Sequence, residues 1–201
     1  LRELGYDGQG QTYLSGDLSV RAPHLFDGYE VTTLSAQVSP FPIVWSISTS
    51  GKLIGLTYIP EQQIGAFHQH DTLGLFEDIT TINEDGRDVC YVVVKRTLNG
   101  VTKRTIEYFA DRLQPDSGDP ADQYFVDCGA TYDGVATDTI TGLTWLAGQT
   151  VAILADGGVM PERVVEADGS LMLDEEASVV HVGLPYTADA QTLPLAIELA
   201  G

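Results

Sequence analysis

The chain has 201 residues, 43% of them hydrophobic, and a formal net charge of −19. This length can bury one or two cores, and no apolar run approaches the roughly 18 residues of a membrane-spanning helix, which excludes that class of protein. Residues 1–113 hold nine Lys and Arg against 14 Asp and Glu, whereas residues 114–201 hold one against 15. The asymmetry predicts two units. It argues against nucleic-acid binding by the second unit, although acidity also serves solubility.

The amino-terminal segment predicts little regular structure. Residues 1–15 are rich in glycine and polar side chains and are expected to cross the surface. Asp17 can accept hydrogen bonds from a helical first turn, and the apolar spacing predicts a short helix near residues 18–26 that contains Pro23. Because the first residue is Leu1, we expect a processed chain or a fragment of a longer one.

From residue 31 onward, short apolar runs alternate with Gly, Pro, Asn and Asp, which is typical of strands joined by turns. Sequential strands with short connections pair with their chain neighbours, as in propeller blades and open sheets. Residues 1–113 therefore predict a mainly β, antiparallel meander, a propeller-like platform fragment. Its predicted strands are 31–37, 43–48, 53–58, 64–70, 76–82, 89–97 and 101–109.

One hairpin carries the basic concentration of the chain. Asn99-Gly100 favours a type I′ turn, because both central positions of that turn need positive φ. The register then places two like-charged pairs opposite each other, Arg96 with Lys103 and Lys95 with Arg104, which destabilises a sheet. We expect nearby acids, an acidic partner surface or phosphate to offset this repulsion, unless the long side chains simply splay into water. The candidate partner-binding residues are Lys95, Arg96, Lys103 and Arg104.

Residues 114–122 are a linker by composition, with prolines, glycine and acids. After it, residues 123–201 predict a small acidic β domain, a β-barrel or sandwich. Turn pairs are expected at Asp133-Gly134, Asp156-Gly157 and Asp168-Gly169. The predicted strands are 123–132, 137–140, 150–154, 163–166, 171–173, 179–182 and 195–199.

Other chemistry-bearing residues have a structural interpretation beside each functional one. His68 and His70 share one strand face, either as a half-buried polar face or as two of the ligands of a metal. The acidic run 174–176 is either solvated or part of a cation site. Trp145 is either a core plug or a ligand platform. Cys90 and Cys128 are expected to be free buried thiols.

The sequence contains no nucleophile elbow, no P-loop and no dinucleotide fingerprint. We therefore expect no enzyme activity, and we assign no catalytic, cofactor-binding or metal residue.

Two sets of stretches carry a resemblance to a known family. They are 17–19, 24–26, 44–47, 51–53, 56–58, 61–62, 66–70 and 92–96, then 132–134, 142–143, 146–151, 154–157 and 181–186. In these stretches the sequence resembles the carboxy-terminal part of a structural family of short-tailed phages and prophages, whose members are described as tail tubular, nozzle or DNA-stabilisation proteins. The chain departs from the family pattern at Pro23, Phe67 and Gln69.

The resemblance implies a β platform with smaller β domains, and copies that form a homo-oligomeric ring around the DNA exit path. It implies a virion component made in the bacterial host cytoplasm, with other tail subunits as partners and transient contact with DNA. The alternatives are a β module that recognises a host-surface glycan or another tail protein, and a tail-associated hydrolase.

Overall fold

The computed structural model describes residues 1–62, 64–111 and 118–190. Within these ranges strands make up 60% of the residues, no α-helix occurs, and the four antiparallel sheets do not close into a barrel. The predicted mainly β, antiparallel fold is confirmed. The strands are β1 (Arg2–Asp7), β2 (Thr12–Asp17), β3 (Val31–Gln37), β4 (Ile43–Ser48), β5 (Leu53–Ile59), β6 (Ile64–His70), β7 (Leu75–Glu84), β8 (Arg87–Leu98), β9 (Val101–Tyr108), β10 (Asp127–Ile140), β11 (Thr150–Ala155), β12 (Gly158–Val164) and β13 (Leu171–Leu184).

The first unit is built from two meanders, with sheet orders β3-β4-β5-β6 and β7-β8-β9. Their facing sides enclose one core, since alternate residues of a strand point to the same face. Seven strands were predicted here, and all seven form within two residues of their predicted bounds. The core residues are Ile43, Trp45, Ile47, Leu53, Phe76, Ile79, Cys90, Val92 and Val94.

Residues 18–26 do not form the predicted continuous helix. They form two 3-10 turns, Ser19–Arg21 and Pro23–Leu25, separated by Ala22 at φ −147° and ψ 61°. Pro23 is the cause, because it lacks an N–H group and begins a new turn instead of continuing the first. The expected role of Asp17 is confirmed, since its carboxylate accepts the Ser19 N–H at 3.0 Å.

Residues 1–15 are largely exposed, but they pair as the β1–β2 hairpin, which the composition did not predict. Its alternation has no buried face, since Leu4, Tyr6, Tyr13 and Leu14 are all more than half exposed. A hydrophobic pattern identifies a strand only when one face is covered, and here neither face is.

The second unit is one four-stranded sheet, in the order β10-β13-β11-β12. Both ends of β13 contribute to its core, which also contains Leu143 and Leu146 from the connection that precedes β11. The barrel alternative is wrong for the described residues, and a sandwich-like packing remains.

Two long strands replace four short predictions in this unit. Residues 127–132 of the predicted segment 123–132 merge with segment 137–140 into β10, whereas residues 123–126 are not in a strand. Segments 171–173 and 179–182 merge into β13. The expected turn at Asp133-Gly134 lies inside β10, at a register irregularity. The irregular pairing of β10 with β13 and the exposed acids 174–176 interrupt the alternation of apolar and polar residues that marks a strand. The sequence therefore predicts two short strands in place of each long one.

The remaining predictions for the second unit have mixed outcomes. The turns at Asp156-Gly157 and Asp168-Gly169 are confirmed. Strand 150–154 is confirmed as β11. The predicted strand 163–166 overlaps β12 in its first two residues only, since β12 begins at Gly158 and ends at Val164. The predicted strand 195–199 falls outside the described residues.

The described part of the proposed linker is fastened to the second unit. Asp119 accepts the Ala121 N–H at 2.9 Å and starts the 3-10 turn Pro120–Asp122. The carbonyl of Ala121 accepts a hydrogen bond from Nε2 of the buried His181 at 2.8 Å. The described residues include no helix of the length and apolar character needed to span a membrane.

We predict that Asp88 supports the first unit in a pH-dependent way. Its carboxylate accepts hydrogen bonds from Asn83 and from the backbone N–H groups of Ser39 and Val38, and these bonds lower its pKa below the usual value for Asp. A lowered folded-state pKa adds stability that is full above the unfolded value and is lost as the pH falls through the folded value. Asp88→Asn should therefore lower the melting temperature at pH 7.

The difference in melting temperature between wild type and Asp88→Asn should shrink as the pH falls below about 4. Asp85→Asn, in the adjacent exposed turn, is the matched control and should change little. A difference that stays constant from pH 7 to pH 3 would contradict the role of the charged carboxylate.

Candidate partner-binding site

The β8–β9 hairpin has the predicted turn and register. Asn99 and Gly100 have φ values of 52° and 75°, as a type I′ turn requires. Arg96 pairs with Lys103, and Lys95 pairs with Arg104. The two like-charged pairs are therefore present, one on each face of the ribbon formed by β8 and β9.

Strand β8 reaches from the first core to the second along one face. Cys90, Val92 and Val94 on this face belong to the first core, and Leu98 packs against the second. Arg96 lies on the same face between them and is only 2% exposed. An apolar row interrupted by one buried cation places that cation at the junction of the two cores.

The guanidinium of Arg96 is saturated by hydrogen bonds from both units. Its Nε and Nη2 donate to the two Glu107 oxygens at 2.7 and 2.6 Å, a bidentate pair within the ribbon. Its Nη2 and Nη1 donate to the two oxygens of Asp127, on β10 of the second unit, at 2.9 and 3.2 Å. Nη1 also donates to Thr72 Oγ1 at 2.6 Å and to the Leu73 carbonyl at 3.1 Å.

The electrostatics of this cluster favour a permanently charged guanidinium. Burial alone would lower the pKa of Arg96, but the hydrogen bonds to Glu107 and Asp127 outweigh it and raise the pKa above its usual range. A buried cation is tolerated only when it is paired and hydrogen-bonded. The Arg96 cluster, defined as Arg96, Glu107, Asp127 and Thr72, meets this condition through residues on both sides of the interunit boundary.

The tip of the ribbon makes a second contact with the second unit. The side chain of Asn99 donates to the carbonyl of Ala147 and accepts from Gln149 Nε2, the latter at 2.7 Å. Asn99 thus supplies both the turn backbone and a side-chain bridge to the loop before β11.

The four predicted partner-binding residues are in different environments. Arg104 is exposed and forms a bidentate ion pair with Glu77, whose hydrogen bonds raise the pKa of Arg104. Lys95 lines an open cleft of about 400 Å³ beside Thr97 and Thr102. Lys103 is exposed, and neither lysine forms an ion pair with a described residue. Of the four predicted residues, Lys95 and Lys103 are therefore the two whose charge is not paired within the described residues.

The structure corrects the prediction that Arg96 is a partner-binding residue. Its guanidinium is only 2% exposed and forms six hydrogen bonds within the chain, so it cannot contact a partner. Nearby acids offset the like-charge repulsion, which was one of the expected outcomes. The partners Glu107 and Asp127 were missed. The hairpin register contained a signal for Glu107, since counting from the turn places it on the same face as Arg96, whereas Asp127 depends on how the two units dock.

No family model matches this chain, and no curated protein matches it.

The other candidate residues are distributed as follows. The prediction that Trp145 fills the core is wrong, because Trp145 is 37% exposed and the neighbouring Leu146 is the fully buried residue. The indole N–H of Trp145 donates to the Cys128 carbonyl at 3.3 Å. Asp174 pairs with Arg163, beside the exposed Glu175 and Glu176.

Both cysteines are free thiols. Burial raises the pKa of Cys128 to about 11 and also raises that of Cys90, so both thiols are protonated at neutral pH.

We predict that Arg96→Met lowers the free energy of unfolding by about 2–3 kcal/mol, because it leaves Glu107 and Asp127 close together without their cation. The loss is smaller than for a fully buried pair, since the two carboxylates stay 21% and 24% exposed. Urea unfolding monitored by circular dichroism measures the change.

Arg104→Met is the matched control, since Arg104 makes a similar bidentate pair at the surface, and it should leave the unfolding midpoint nearly unchanged. Equal effects of the two substitutions would contradict the assignment of Arg96 as the interunit cation.

Proposed function

We propose that this chain is a non-enzymatic structural component of a tailed-phage or prophage particle, which serves tail or nozzle assembly and the retention or passage of DNA. The observation that carries the proposal is the Arg96 cluster. A buried cation that takes ligands from two β units makes them one body, and a particle component under load needs its domains held in a fixed relation. The sequence resemblance to short-tailed phage proteins supports the same function.

The charge distribution supports assembly with other subunits in the virion. Like-charged acidic units repel each other, so neighbouring copies need a local site of opposite charge. Lys95, in its cleft, and the exposed Lys103 are such sites. They would take acidic side chains of another tail subunit, or of a second copy in a ring, or would contact DNA transiently as it passes.

A second candidate function is a β module that recognises a host-surface glycan. The exposed pair Tyr6 and Tyr13 favours it, since the rings lie 5.3 Å apart in an edge-to-face arrangement and both are more than 60% exposed. Aromatic side chains present apolar faces of this kind to sugars. Binding on a glycan array that Tyr6→Ser abolishes would favour this candidate over the structural one.

The structural proposal predicts that the protein is found in purified particles. Mass spectrometry of virions from the parent phage or an induced prophage should detect the chain, and its absence from DNA-filled particles would refute the proposal.

Introducing Lys95→Glu with Lys103→Glu should reduce the yield of DNA-filled particles, while the purified chain keeps its melting temperature. Arg2→Glu, an exposed basic residue outside the ribbon, is the control and should leave the yield unchanged. Normal assembly and DNA retention in the double variant would refute a role of Lys95 and Lys103 in contact with another subunit or with DNA.

A further inference from the structure

Two imidazoles converge on one face of β6. His68 and His70 are two residues apart on the strand, and His68 Nδ1 lies 2.7 Å from His70 Nε2. The predicted half-buried polar face is confirmed, since both side chains are half-buried. Two ring nitrogens at this separation share one proton in a hydrogen bond. Once that proton leaves the space between them, a rotation of the rings would turn both lone pairs towards a single ion.

The surroundings hold these rings in place. Gly55 pairs with His68 across β5 and β6, and a Cβ atom at Gly55 would lie 2.1–2.8 Å from the His68 ring atoms. Trp45 lies next in the same row, with its ring centroid 5.4 Å from His68 and 5.5 Å from His70. Phe109 stacks on Trp45 at 5.5 Å. The missing side chain at Gly55 leaves room for the His68 ring, and the aromatic rings beside both imidazoles limit their movement.

We propose that His68 Nδ1 and His70 Nε2 chelate a divalent transition-metal ion and prefer Ni²⁺ and Cu²⁺ to Zn²⁺. With metal–nitrogen bonds of about 2.0–2.1 Å, the 2.7 Å separation gives a nitrogen–metal–nitrogen angle of about 80–85°. That angle is near the 90° of square-planar and octahedral ions and far from the tetrahedral angle of Zn²⁺.

The described residues gather no set of three or more His, Cys, Asp and Glu, so water would complete the coordination of the ion. Binding displaces the proton from between the two rings to the other nitrogen of its own ring, so that each neutral imidazole keeps one N–H and binds the ion through a lone pair. The site goes beyond the proposed structural function and does not depend on it.

Isothermal titration calorimetry of the untagged 201-residue chain with NiCl₂ tests the proposal. We expect one Ni²⁺ per chain, affinity about tenfold or more weaker in His68→Gln and in His70→Gln, and weaker binding of Zn²⁺ than of Ni²⁺. His24→Gln, at an exposed histidine outside β6, should bind as the wild type does.

Two further measurements separate a built site from loose histidine binding. Gly55→Ala keeps both ligands but displaces the His68 ring, so it should weaken Ni²⁺ binding while the protein stays folded. In Trp145→Phe, Trp45 is the remaining tryptophan, and paramagnetic Cu²⁺ at the site should quench most of its fluorescence.

The proposal is overturned if no saturable binding occurs up to about 1 mM Ni²⁺. Unchanged affinity in both histidine variants, unchanged affinity in Gly55→Ala, or tighter binding of Zn²⁺ than of Ni²⁺ would also overturn it.

Discussion

The arrangement of the two β units depends on the burial of one cation. Arg96 lies on a strand face that otherwise carries apolar side chains, at the junction between two hydrophobic cores. Removing a guanidinium from water costs several kcal/mol unless its donors are satisfied. Only the docked arrangement brings Glu107 and Asp127 to the same guanidinium, so other relative positions of the units would leave a buried charge incompletely paired. The ion pair thereby specifies geometry, whatever its net contribution to stability.

Strand β8 is the element through which this constraint acts. It contributes Val92 and Val94 to the first core, Arg96 to the junction and Leu98 to the second core, while the turn that follows it contacts the loop before β11. A ribbon that contacts the first core, the Arg96 cluster and the second core in succession fixes the relative arrangement of the two units. The exposed lysines of the same ribbon then have a fixed position relative to both units.

Much of the first unit could be predicted from the sequence, because its strands have clean alternation and sharp turns. Asn99-Gly100 determined the register of β8 with β9, and register placed all four basic residues correctly. Prediction failed where tertiary structure decides. Pro23 divided a helix into two 3-10 turns, and the irregular pairing of β10 with β13 concealed two long strands as four short ones.

The sequence predicted where the candidate site lies, but it did not predict the role of each of its residues. Four basic residues on a hairpin look alike in sequence, yet Arg96 is buried, Arg104 is paired at the surface, and Lys95 and Lys103 remain accessible. The difference follows from Asp127, 31 residues away, whose position depends on the docking of the second unit. Likewise, the two-residue spacing of His68 and His70 predicted a shared face, but Gly55 beneath His68 is visible only when β5 and β6 are paired.

The most direct test of the role of the Arg96 cluster is a double-mutant cycle between Arg96→Met and Asp127→Ala, with free energies of unfolding measured in urea. The residues belong to different units, so their coupling energy reports the interaction across the boundary itself. We predict a coupling energy of about 1–3 kcal/mol. Additive effects, within about 0.5 kcal/mol, would contradict it and would mean that the two units are held together by other contacts.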